Sequence, residues 1–175
     1  AYVDLVAGEM LAACAPHARW IDVFCEPNSP HAFDEAESRR VLAAGVDAGL
    51  QLKAGAEELL ARAGRPLAIV TSTGRVGAHR KLAIAGIAGA FTHVVTLDDV
   101  TAPKPAPDPY LLAAQLFGIA PDRCLVFEDS ETGAEAAHRA GCTVVQVPDV
   151  VPSQGRWAHH LAPDLLTGAR MARLI

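Results

Sequence analysis

The chain has 175 residues, a formal net charge of −5 and 51% hydrophobic residues. This length suffices for one domain with a substantial core, and the apolar content argues against disorder. Lysine and arginine are scattered rather than clustered, so no basic patch indicates nucleic-acid binding. No apolar run reaches the length of a membrane span, and the first residues do not form a signal-peptide pattern. We therefore expect a cytoplasmic protein that binds neither nucleic acid nor membranes.

The first 64 residues predict a mostly helical segment. Helices are predicted over residues 3–13, 34–48 and 57–63, with Asp34 as the N-cap of the second helix and Gly49 as its stop. Residues 20–25 (WIDVFC) are mostly apolar and predict a short strand.

From residue 65 onward, short apolar strands alternate with helices. Strands are predicted over residues 67–71 (LAIVT), 93–96, 123–127 (RCLVF) and 143–147, and helices over residues 75–85, 108–117, 131–140 and 163–174. Continuous apolar runs rich in β-branched residues are typical of buried parallel strands. The alternation predicts an α/β fold with a doubly wound, Rossmann-like parallel sheet. Ligands of such sheets bind at the carboxyl ends of the strands.

Polar side chains stand where such a ligand would bind. Thr71 and Ser72 end the first of these strands, and a hydroxyl with a following backbone N–H suits phosphate binding. Lys104 lies in a loop stiffened by prolines, where one cation can neutralise a phosphoryl group. Glu128 and Asp129 follow the strand RCLVF and suit Mg²⁺, which prefers oxygen ligands. Each of these residues also has a structural alternative. Thr71 could simply end a strand, and Lys104 could be a solvated surface lysine. Glu128 and Asp129 could cap the helix that follows them.

Four stretches in this order resemble the haloacid dehalogenase (HAD) superfamily, in particular its sugar-phosphate phosphatase and phosphoglucomutase branch. They are LAIVTST, KPAPDPYLLAA, FEDSETGAEAAHRAG and VVQVPD, within residues 55–150. The resemblance implies a HAD-like core and a Mg²⁺-dependent phosphatase. It also implies that Thr71 and Lys104 hold the phosphate group and that Glu128 and Asp129 hold the metal. One departure is Pro103, where the family usually has glycine before this lysine.

The superfamily's aspartate nucleophile, in the pattern Asp-x-Asp-x-Thr, has no counterpart in these 175 residues. Asp22 is the nearest substitute, but the residue two positions later is Phe24 rather than a second aspartate. In the family the nucleophile strand lies between the strands that match LAIVT and RCLVF. We hypothesise that residues 20–25 fill that gap. Because the nucleophile carries the covalent step, we expect this chain to have little or no turnover.

Residues 1–58 resemble an internal segment of imidazolonepropionase, an amidohydrolase-type metalloenzyme. Gly55 occupies the position of a metal-binding histidine of that family, and Glu58 matches a catalytic glutamate. The two resemblances meet near residues 50–58, which predicts a junction there. It divides an N-terminal segment, residues 1–54, from a HAD-like core lacking its first strand, residues 55–175.

The leading functional hypothesis is Mg²⁺-dependent hydrolysis of a small phosphorylated metabolite, such as a sugar phosphate. The first alternative is a non-catalytic fragment or pseudoenzyme that still binds phosphate and Mg²⁺. The second is an imidazolonepropionase remnant, which would contain tightly bound zinc or iron.

Overall fold

The computed structural model describes residues 2–14, 35–49, 52–149 and 151–175. The chain forms two compact units, Ala1–Gln51 and Leu52–Ile175. Asp22, the predicted strand at residues 20–25 and the predicted cap Asp34 lie outside the described residues. The hypothesis that residues 20–25 fill the gap in the sheet therefore stays a prediction.

The first unit is helical in its described part. Helix α1 (Tyr2–Leu5), a π-helical turn (Val6–Met10) and helix α2 (Leu11–Cys14) follow one another directly, and α3 spans Glu35–Gly49. The predicted helices over residues 3–13 and 34–48 correspond to these elements. The predicted stop at Gly49 agrees with the structure to within one residue, because α3 ends at Gly49 itself.

The second unit alternates helices and strands. In chain order its elements are α4 (Ala56–Arg62), β1 (Ala68–Val70), α5 (Arg75–Ile84), β2 (His93–Val95), α6 (Asp108–Phe117), β3 (Leu125–Glu128), α7 (Glu131–Arg139), β4 (Thr143–Gln146), β5 (His160–Leu161) and α8 (Leu165–Met171). Short 3₁₀ turns at Ala88–Ala90, Leu97–Asp99 and Pro121–Arg123 connect some of them. This order confirms the predicted α/β, Rossmann-type fold.

All described strand pairs are parallel. β1 pairs with β2, with Ile69 opposite Val94. β4 pairs with β3 on one side and β5 on the other, giving the order β3-β4-β5. Within the described residues the strands thus form two sheets, and no strand joins β1 to β3.

The largest departures from the predicted elements are a strand start, a helix length and one additional strand. The strand predicted over residues 123–127 begins at Leu125, because Pro121–Arg123 forms a 3₁₀ turn. The helix predicted over residues 163–174 spans only Leu165–Met171, because the Asp164 side chain caps it by accepting from the Thr167 N–H. The two-residue strand β5 was not predicted.

Small side chains allow α7 to pack closely on the sheet. Ala134, Ala136 and Ala137 of α7 are fully buried, as are Val144 and Val145 of β4. Burial of this apolar surface holds α7 against β3 and β4. The packing fixes the position of the carboxyl end of β3, which directly precedes α7. None of the helices in the described part is both long and apolar enough for a membrane span.

Candidate functional site

A cavity of about 420 Å³ lies at the carboxyl ends of β1 and β3. It brings together all five predicted site residues that the structure describes, Thr71, Ser72, Lys104, Glu128 and Asp129. Asp22, the possible substitute nucleophile, lies outside the described residues. Parallel strands place their carboxyl ends on the same side of a sheet, and the cavity lies beside the carboxyl end of a strand from each of the two sheets.

Lys104 spans the space between the two sheets. Its Nζ donates to the Val70 carbonyl at the end of β1 at 3.0 Å and to the Tyr110 hydroxyl at 2.9 Å. It also donates to Glu128 Oε1 at the end of β3. The loop that carries Lys104 has a cis Lys104–Pro105 peptide bond. A single cation is therefore held by contacts to both sheets.

The Glu128 carboxylate is buried and fully engaged. Its Oε1 accepts from Lys104 and from the Tyr110 hydroxyl, and its Oε2 accepts from Ser130 Oγ at 3.3 Å. Burial, followed by the Glu128 charge, raises the pKa of Tyr110 well above its usual value. Tyr110 is therefore a neutral donor that helps to hold the carboxylate in place.

The start of α7 is shaped to receive the Glu128 side chain. Ser130 is the N-cap of α7, and its Oγ accepts from the Gly133 N–H at 3.1 Å. A Cβ at Gly133 would lie 2.0 Å from Glu128 Oε2, so only glycine allows this approach.

Thr71 and Ser72 form the opposite wall. The Thr71 N–H donates to the Val95 carbonyl at 2.9 Å, which fixes the residue beside β2. Its Oγ1 accepts from the Thr73 N–H at 3.1 Å, which closes a tight turn. The Thr71 hydroxyl hydrogen can still be donated to a ligand, and Ser72 is exposed at the mouth of the turn.

Asp129 is the carboxylate most open to a cation. It is exposed, and its side chain makes no hydrogen bond or ion pair with another described residue. The described residues contain no group of three or more histidine, cysteine or acidic side chains arranged so that they could hold a metal ion. Mg²⁺ commonly uses one or two carboxylates plus water, so the oxygen donors fit this ion. Asp129 would hold it first, since Glu128 is paired with Lys104.

Three residues of this region were not assigned to the site from the sequence. Tyr110 lies within the KPAPDPYLLAA stretch, and Ser130 follows the acidic pair before a helix, which is a signal for an N-cap. Lys53 also lines the cavity. Lys53 belongs to no sequence motif of the site. It is positioned by a hydrogen bond to the Val147 carbonyl, 94 residues later in the chain, and a contact of this kind cannot be read from local sequence.

Comparison with solved structures supports the fold. A HAD family hydrolase from Deinococcus radiodurans, solved with bound phosphate and sodium, matches with a TM-score of 0.58 and 28% identity over 98% of this chain and 81% of that one. CbbY from Rhodobacter sphaeroides in complex with phosphate matches with a TM-score of 0.67 and 24% identity, over 93% of this chain and 76% of that one. The second likeness shows the fold alone.

Curated relatives fall into two groups. Fructose-1-phosphate phosphatase YqaB of Escherichia coli is 43% identical over 83 residues, which is 47% of this chain and 44% of that protein. Hexitol phosphatase A of the same organism is 42% identical over 102 residues, 57% of this chain and 47% of that protein. Imidazolonepropionase of Streptomyces coelicolor is 55% identical over 69 residues, 39% of this chain and 17% of that protein.

The chain therefore spans less than half the length of these phosphatases and about a sixth of the imidazolonepropionase. The family match is broader. The model of the haloacid dehalogenase-like hydrolases matches residues 12–141, which begins upstream of the junction predicted near residues 50–58. This match extends over most of the chain and includes the five predicted site residues that line the cavity. The chain belongs to the haloacid dehalogenase-like hydrolase family.

Proposed function

We propose that the cavity binds the phosphate group of a small phosphorylated metabolite, in a site of the phosphatase type. The observation that carries this proposal is the convergence of Thr71, Ser72, Lys104, Glu128 and Asp129 on one cavity. Hydroxyl donors on one wall and carboxylates on the other suit a phosphate group and a divalent cation, respectively.

The residues have distinct roles in this proposal. The hydroxyls of Thr71 and Ser72 donate to phosphate oxygens, and Lys104 supplies positive charge at the floor of the cavity. Glu128 holds Lys104 in position, and Asp129 holds Mg²⁺. Bound Mg²⁺ would neutralise charge on the phosphoryl oxygens.

Relatives support a sugar phosphate as the ligand. Two similar proteins carry the names fructose-1-phosphate phosphatase and hexitol phosphatase A. A similar solved structure contains bound phosphate. We extend this ligand class to the present chain as part of the proposal. A cytoplasmic location is the corresponding prediction for a protein that acts on soluble metabolites.

We further propose that these 175 residues alone turn over substrate slowly or not at all. The sequence contains no Asp-x-Asp pair, whereas covalent phosphoryl transfer needs a carboxylate nucleophile and an acid/base partner. The second candidate function is binding of phosphate and Mg²⁺ without turnover, which the lack of an Asp-x-Asp pair in this sequence also favours. If the chain were active, a carboxylate such as Asp22 would have taken the place of the nucleophile.

The imidazolonepropionase similarity does not carry that protein's activity to this chain. The match covers 17% of the relative, and Gly55 stands where the family has a metal-binding histidine. The remnant hypothesis remains testable by metal analysis, because it alone predicts stoichiometric zinc or iron in the purified chain.

Phosphate release from a panel of sugar phosphates and p-nitrophenyl phosphate, with and without Mg²⁺, tests the turnover proposal. Asp129→Asn is the matched control, because it keeps the side-chain size and removes the carboxylate. We expect no release above this control. Release that Asp129→Asn abolishes would show that the chain is an active phosphatase, and Asp22→Asn would then test the substitute nucleophile.

A further inference from the structure

The hydrogen bonds of Lys104 leave no N–H for a ligand. A lysine ammonium has three N–H donors. In this structure Nζ of Lys104 donates to Val70, Tyr110 and Glu128, and its side chain is 9% exposed. Lys104 can therefore supply positive potential to the cavity, but a direct hydrogen bond to phosphate would require it to release a buried partner.

Lys53 is a second cation on the same cavity wall. Its Nζ donates to the Val147 carbonyl at 3.0 Å, just after β4. The Asp149 carboxylate lies 3.9 Å away, beyond direct hydrogen-bond distance, and the Lys53 side chain is 33% exposed. Among the described residues, only Val147 accepts a hydrogen bond from Nζ, which leaves two donors for a ligand.

The charges of the side chains that line the cavity also favour Lys53 as a residue that binds an anionic ligand. Four charged side chains line it, and two of them, Lys104 and Glu128, already form a buried ion pair with each other. Lys53 and Asp129 remain, one a cation with free donors and the other a carboxylate open to a metal ion. These two groups together match a phosphate–Mg²⁺ ligand, whose anionic oxygens need a donor and whose cation needs an oxygen.

We propose that Lys53 is a cation that donates directly to the anionic group of the ligand, in addition to the hydroxyls of Thr71 and Ser72. This inference rests on the proposed function, since it names a binding residue of the same site. Lys104 then acts as a buried positive charge that positions Glu128. Asp149 competes with the ligand for Lys53, because its carboxylate lies beside the same ammonium.

Calorimetric titration with inorganic phosphate in buffer containing Mg²⁺ tests this assignment in the full chain. Lys53→Met keeps the aliphatic stem and removes the charge, and we expect it to weaken phosphate binding about tenfold or more. Asp149→Asn removes the competing charge while Lys53 keeps its bond to Val147. We expect it to tighten phosphate binding about two- to fivefold.

A purely structural role for Lys53 predicts a different pattern. If Lys53 only anchors the segment after β4, both substitutions lower the melting temperature and neither tightens phosphate binding. That result would overturn the assignment of Lys53 but not the proposed function of the cavity. Phosphate binding by Lys53→Met that equals that of the unmodified chain would have the same meaning. If the unmodified chain binds no phosphate, the proposed function fails with it. If Lys53→Met does not fold, the sign of the Asp149→Asn effect still decides.

Discussion

The Lys104 ammonium and the Glu128 carboxylate form an ion pair whose side chains are only 9% and 8% exposed. The pair joins the loop before α6 to the end of β3, and Tyr110 bonds to both members. Charges this well buried are stable only while they are paired, because each has lost its water. The pair is therefore a structural requirement of the cavity.

Removing one partner of this pair should destabilise the protein strongly. We expect Lys104→Met to lower the free energy of unfolding by about 3 kcal/mol or more, because Glu128 keeps an uncompensated buried charge. The double variant Lys104→Met/Glu128→Gln should recover part of that loss. Urea unfolding of both single variants and the double variant gives the coupling energy. Additive effects of the two substitutions would contradict the buried pairing.

The contact of Gly133 with Glu128 makes a second prediction about stability. A Cβ at Gly133 would lie 2.0 Å from Glu128 Oε2, so Gly133→Ala must displace the carboxylate or the start of α7. We expect a loss of about 1–3 kcal/mol in the free energy of unfolding. Gly89→Ala is the control, because a Cβ there has no heavy atom within 4 Å. Equal stabilities of the two variants would refute the close approach.

His159 supplies an acceptor to a buried strand. The Val144 N–H in β4 donates to His159 Nδ1 at 3.0 Å, and Val144 is fully buried. His159→Ala leaves this N–H without an acceptor, and we expect a cost of about 1–3 kcal/mol. His160→Ala is the matched neighbour, since its side chain makes no hydrogen bond with another described residue. Thermal unfolding should show a clearly larger loss for the first variant.

The cap of α8 should contribute to stability in a pH-dependent way. The Asp164 carboxylate accepts from the Thr167 N–H at 2.7 Å and from the Thr167 hydroxyl at 2.8 Å. The backbone bond, followed by the hydroxyl bond, holds the pKa of Asp164 below its usual value. The folded form therefore binds its proton at lower pH than the unfolded form. This contribution is present above the unfolded pKa of about 3.9 and is lost as the pH falls through the lower folded value.

Asp164→Asn isolates this effect, because asparagine is also a good N-cap but does not titrate. We expect the melting temperature of the variant to lie below that of the unmodified chain at neutral pH. The difference should shrink below about pH 4 as Asp164 takes up its proton. A difference that stays constant across this range would show that the charge of Asp164 contributes nothing.

The strands and helices of the second unit were predictable because their local signals agree with the fold. Residues 67–71 and 143–147 are short segments rich in apolar and β-branched residues, which are typical of buried parallel strands. Glycines marked helix ends correctly, as Gly118 is the C-cap of α6 with φ of 65°. The two-residue strand β5 has no periodicity to detect, so it was missed.

The site was predictable only in part, because some of its residues lie in sequence motifs and others are positioned by contacts between distant parts of the chain. Thr71 and the acidic pair lie in recognisable motifs at strand ends, and Lys104 lies in a recognisable motif before α6. Lys53 belongs to no such motif, and its place in the cavity depends on a bond to Val147, 94 residues away. The engagement of all Lys104 donors is likewise a property of packing, which the spacing of residues does not reveal.

The most direct test of the phosphate-site assignment is a calorimetric titration of the full chain with inorganic phosphate, with and without Mg²⁺. We expect phosphate binding that Mg²⁺ strengthens, and we expect Asp129→Asn to remove this strengthening. Absence of phosphate binding, or binding that neither Mg²⁺ nor the Asp129→Asn substitution changes, would contradict the assignment of this cavity as a phosphate and Mg²⁺ site.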